Sequence, residues 1–257
     1  MLPQKPTQKA FRLALLAVST AAVCVTTMVF SIYVPQTRGF FNVGETMVYA
    51  TALLFGPLIG SFAGGVGSML ADIFLGYWYY APATLIIKAA EGGIVGLLGV
   101  KKPRFNSKQA WKTFTFGAGL TVGVAVAIVG SVYYSGSANL SLGISPAASS
   151  MTITIPPELW YGLGALVALL VTVAGFTLEP EFGWPAFTMF AGGAIMVAGY
   201  YLYQKLLLFP LFGIGGVVPE AEVPFNIGQM LVGIIVALPL VRIVKRSLPQ
   251  INSTQNK

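Results

Sequence analysis

Histidine is absent from the 257-residue chain, and cysteine occurs once, as Cys24. A lone thiol without any imidazole excludes intrachain disulfides, thiolate zinc sites and His-dependent catalysis, so no metal or other cofactor is expected. Charge is scarce too, at 9% of residues where soluble domains carry roughly 25%. That composition excludes a soluble enzyme. A membrane enzyme would need Ser with Lys88 or a carboxylate pair, and neither stands in a recognisable motif, so the chain reads as no enzyme. The formal charge is +7. Its basic residues gather at the ends of apolar runs, notably Lys101, Lys102, Arg104, Lys108 and Lys112, as the positive-inside rule describes, which argues against a nucleic-acid partner.

Long apolar runs fill the remainder, Leu13 to Gln36 and Thr46 to Ala71 among them, as a hydrocarbon core about 30 Å thick requires of spanning helices. Leu13 to Val34 exceeds a signal-peptide core and reads as a retained helix. Punctuation by Pro, Gly and charge predicts an all-α, polytopic membrane bundle with about eight spans, near 10–34, 45–58, 60–76, 82–100, 112–134, 158–178, 184–209 and 223–244. The second and third read as two short helices joined at Gly56, Pro57 and Gly60. Residues 135–157 read as an external loop with a short strand at Met151 to Ile155. Basic residues before Arg12, in 101–112 and around Arg242, Lys245 and Arg246 predict that both termini face the cytoplasm. Arg38, Glu45, Glu158, Glu220 and Glu222 then lie outside.

Gly56, Gly60, Gly64, Ser68, Asp72 and Gly76 recur every four residues, a small face for close helix packing. Gly64, Gly65 and Gly67 imitate a phosphate loop only superficially, because no strand precedes them. Ala10, Ala14, Ala17 and Ala21 make a similar stripe on the first helix, open either to internal packing or to a partner helix. Asp72, Lys88 and Glu91 fall inside spans, where each charge costs about 2.5 to 3.5 kcal/mol unless paired or wetted. Thr84, Lys88 and Glu91 share one helix face, so Lys88 and Glu91 can neutralise each other or hold a polar ligand. Asn226, Gln229 and Gly233 share another. Tyr77 to Tyr80, Phe40 and Phe41 form either an interfacial belt or a cap over an outward pocket, to which Tyr200, Tyr203 and Met196 can contribute.

The run FNVGETMVYATALLFGPLIGSFAGGVGSMLADIFLGYWYYAPATLIIKAAEGGIVGLLG, with GGAIMVAGYYLYQ and VPFNIGQMLVGIIVALPL further on, resembles the substrate-binding S components of energy-coupling factor (ECF) vitamin transporters. The resemblance implies a cell-membrane subunit that captures a water-soluble vitamin or precursor outside. It implies as partners a transmembrane T component and two ATPases, the chain itself binding no ATP. By that likeness Arg38, Asn42, Glu45, Asp72, Lys88, Glu91 and Asn226 are pocket candidates, and Ala14, Ala17 and Ala21 are docking candidates. Six spans are usual in the family, so residues 112–181 read as an inserted helical hairpin on a six-helix core. The alternative is a stand-alone ion-coupled carrier working through Asp72, Lys88 and Glu91, although no inverted repeat is visible.

Overall fold

The computed structural model describes residues 8–34, 37–101, 105, 107–141 and 150–247. Lys102, Arg104, Asn252 and the centre of the expected external loop lie outside them. Among the described residues, seven helices are long and apolar enough to cross a membrane, and one further apolar helix is short. The chain is a multi-pass membrane protein built on helices. It divides into two units, one from Met1–Lys102 with Trp184–Lys257 and one from Pro103–Gly183.

The first unit begins with α1 (Gln8–Val29), followed by the antiparallel strands β1 (Ser31–Val34) and β2 (Gly39–Asn42). The first span therefore stops five residues earlier than its apolar run. β-branched Ile32 and Val34 with aromatic Tyr33 are as apolar as a helix end, yet they suit an extended ribbon. Next come α2 (Glu45–Phe55), α3 (Pro57–Phe74) and α4 (Ala81–Val100). Gly56, at φ 84°, turns the chain between α2 and α3, a backbone angle that a side chain disfavours, and Pro57 starts the new helix without a donor to waste.

With 1.5 Å rise per residue, α2 is roughly 16 Å long and α3 roughly 27 Å. Both were expected to be short, but only α2 falls well below the membrane core. Its first turn consequently starts deep in the bundle. The α3 glycines bring the neighbours close: a Cβ on Gly60 would stand 2.7 Å from Ala52 Cα and 2.9 Å from the Gly92 carbonyl, and one on Gly64 2.9 Å from the Lys88 carbonyl. On its other side Gly67 meets α1, where a Cβ would lie 2.8 Å from Val23 Cβ.

The unit closes with α7 (Pro180–Tyr203), whose first four residues belong to the other unit, a π-helical turn (Gln204–Leu208), the short α8 (Phe209–Phe212) and α9 (Pro219–Ser247). The seventh span thus ends in a π turn, and the last starts four residues before the expected boundary. Tyr49, Leu53, Val95, Met189, Ala237 and Val241 form the apolar core between α2, α4, α7 and α9. Trp184 donates its indole N–H to the Leu98 carbonyl at 2.8 Å, tying α7 to α4.

The second unit pairs α5 (Lys108–Tyr133) with α6 (Pro157–Thr177), joined through the antiparallel strands β3 (Gly136–Ser141) and β4 (Ser150–Ile155). Ser107 caps α5 by accepting from Ala110 N–H at 3.1 Å. Close pairing uses Gly119, Gly123 and Gly164, whereas a Cβ on Gly117 or Gly162 would meet open space. Gly175 and Gly130 were missed and receive Thr115 and Trp160 instead.

Candidate functional site

Inside the first unit, a cavity of about 470 Å³, counting its open mouth, lies among the C-terminal ends of α1, α3 and α7 and the N-terminal ends of α2, α4 and α9. The short α2 and the inward-dipping β2 make room for it. Gly39, Phe40 and Asn42 enter its wall from the ribbon, and Thr27 enters from α1. Thr37, at the ribbon's end, is tied down when Tyr80 donates its hydroxyl to the Thr37 carbonyl at 2.8 Å. Tyr79 does the same to the Arg38 carbonyl at 2.8 Å.

Lys88 is the centre of the site. Its ammonium is ion-paired to Glu45 Oε1 and to Glu91 Oε2, the latter at 3.0 Å, and all three residues are buried. Glu91 accepts a further hydrogen bond from the Tyr49 hydroxyl at 3.0 Å. The i, i+3 pair was readable on α4, but Glu45 arrives from α2, 43 positions away. Two carboxylates per ammonium, with a phenol behind, make a desolvated network in which removal of one member strands the others.

On the α9 wall, Gln229 donates to Asn226 Oδ1 at 2.9 Å and accepts from the Asn42 backbone N–H at 3.3 Å. Asn42 Oδ1 in turn accepts from Gly44 N–H at 2.9 Å, fixing the turn into α2. Gly233 lets α2 approach: a Cβ there would lie 2.5 Å from Glu45 Cβ and 2.9 Å from the Tyr49 ring. The remaining wall is Ser68 and Asp72 of α3, Thr84 of α4, Tyr80, and Tyr200 of α7, with Tyr200 and Thr84 hydroxyls 2.9 Å apart.

Of the residues picked from the sequence, Asn42, Glu45, Asp72, Lys88 and Asn226 line this cavity. Glu91 braces it from behind Lys88. Arg38 stands apart, exposed at the ribbon turn with φ 51°. Tyr200 lines the space as anticipated, but Tyr203 packs on Tyr80 and donates to the Tyr79 carbonyl, while Met196 is wholly buried in the core. Glu222 was read as an external loop residue; α9 begins before it and buries it in the cavity wall. Its neighbours Pro219, Glu220 and Pro224 imitate a loop, and only its i, i+4, i+7 relation to Asn226 and Gln229 signals the shared face.

Ala14, Ala17 and Ala21 are exposed, together with Leu13, Val18 and Val25, while Ser19, Val23 and Thr27 turn inward, with Val23 meeting α3. The alanine stripe is not used for packing within the unit.

Residues 8–178 match the family described as ECF-type riboflavin transporter, S component. A Pyrococcus woesei protein described as "Uncharacterized protein in gap 3'region" is 55% identical over 75 residues, 29% of this chain and 50% of that protein. The chain thus spans half the length of that relative. The thiamine precursor transporter HmpT of Lactococcus lactis subsp. cremoris (strain MG1363) is 27% identical over 135 residues, 52% of this chain and 76% of the other. The family match takes in more than half of the chain and runs through the ribbon, α2, α3 and the Lys88 centre. With its apolar helices and polar interior, the chain belongs to the family of ECF-type riboflavin transporter S components.

Proposed function

We propose that this chain captures a water-soluble vitamin or vitamin precursor as the substrate-binding subunit of an ECF-type importer. The observation that carries the reading is the buried Glu45–Lys88–Glu91 centre opening into a cavity lined by amides, hydroxyls and aromatic rings. A ligand site is few polar groups placed precisely on an otherwise apolar scaffold, and this wall has that make-up.

Helix register supports an outward-facing pocket. The cavity gathers at one end of the unit's helices, whereas Lys9 and Arg12, Lys101, and Arg242, Lys245 and Arg246 sit at the opposite ends of α1, α4 and α9. The basic ends belong in the cytoplasm, together with both termini. Energy then comes from partners: a T component meets the exposed alanine stripe of α1, and two ATPases supply hydrolysis. The second unit is an added hairpin that leaves the capture core complete.

Reconstitution into proteoliposomes tests the proposal. Uptake of the vitamin should require the T component, both ATPases and ATP. Robust gradient-driven uptake by this chain alone would overturn it in favour of an ion-coupled carrier.

A further inference from the structure

Four buried polar atoms in the cavity wall have no hydrogen-bond partner: Glu45 Oε2, Asp72 Oδ2, Glu222 Oε2 and Asn226 Nδ2. Each belongs to a residue less than a tenth exposed, so none is shed into solvent by its own side chain. Three of the four are acceptors and one is a donor. Buried groups of this kind are satisfied in working proteins, and the cavity is where their partner must stand.

The formal charges point the same way. Glu45, Asp72 and Glu222 in the wall and Glu91 behind it face Lys88, which Glu45 and Glu91 already hold. Neither Asp72 nor Glu222 forms an ion pair among the described residues. Arg38 is exposed outside the wall, and Lys205 is engaged with Glu220 at 3.4 Å. The surrounding rings, Phe40, Tyr80 and Tyr200, offer π faces, which attract cations and stack on flat heterocycles.

Resting on the capture-subunit reading above, we infer that the substrate is a small nitrogen heterocycle that is rich in hydrogen-bond donors and carries positive charge. Its donors meet Asp72, Glu222 and Glu45, and one acceptor meets the Asn226 amide. An anionic vitamin would set its carboxylate against uncompensated carboxylates. A neutral flavin would bring carbonyl and ring-nitrogen acceptors to a wall that needs donors.

Calorimetric titration of the purified full chain in detergent decides this, with thiamine, a hydroxymethylated 4-aminopyrimidine, riboflavin and nicotinate as probes. Thiamine or the aminopyrimidine should bind at least ten-fold more tightly than riboflavin and nicotinate. Asp72→Asn and Glu222→Gln should each weaken that binding at least ten-fold while eluting as monodisperse protein. The wild-type ranking stands even if a variant fails to fold. Tighter binding of riboflavin or nicotinate would overturn the inference and leave the capture-subunit reading intact. Binding of none of the four would overturn it as well, and partner-dependent uptake then judges the underlying reading separately.

Discussion

At the scale of single residues, the site is held by a charge network whose members cannot be removed one at a time. Replacing Lys88 by Met keeps much of the volume but leaves Glu45 and Glu91 facing each other without a cation. Breaking one partner of a buried pair costs about 3 to 5 kcal/mol. Thermal denaturation in detergent should therefore show Lys88→Met strongly destabilised. A midpoint equal to wild type would mean that the network is not buried as described. The Lys88 and Glu91 half of the network was legible because three residues is a helix-neighbour spacing. Glu45 was reached only through family likeness, since nothing in its local sequence tells which distant helix it meets. Glu222 was missed because Pro and acidic neighbours read as water-facing, while burial is decided by where α9 packs.

Among the elements, α2 and α1 carry the argument. The approach of α9 to α2 depends on the missing side chain at position 233, where a Cβ would lie 2.5 Å from Glu45 Cβ. Gly233→Val should push α2 away, with a loss of at least ten-fold in ligand affinity. Titration with the co-purifying or best-binding vitamin checks this, and unchanged affinity would show that α2 can shift freely. On α1 the exposed Ala14, Ala17 and Ala21 face permits close helix approach. Ala17→Trp should block pull-down of the T component yet leave ligand binding within about two-fold, because its side chain faces away from the cavity. The helices themselves were readable from apolar length. The β1–β2 ribbon was not, because four apolar residues continue a helical run equally well in composition and only their pairing with Gly39–Asn42 distinguishes them.

For the whole molecule, the sequence separated a core from residues 112–181, and Pro103–Gly183 forms its own compact unit. The hydrogen bond from Trp184 to Leu98 brings the start of α7 beside the end of α4. A linker of about 4 to 8 residues is ample between packed neighbouring helices. Exchanging residues 103–182 for such a linker should give a chain that still binds ligand within about three-fold of wild type. Collapse of binding in a monodisperse product would make the second unit part of the capture machinery.

The central claim is that the cavity beside Lys88 is the capture site, and native mass spectrometry tests it most directly. Wild-type protein released from detergent should carry one small-molecule adduct per chain. Asn226→Leu, nearly equal in volume but without amide groups at the wall, should lose it under the same conditions. An adduct retained at the same occupancy in that variant would contradict the account.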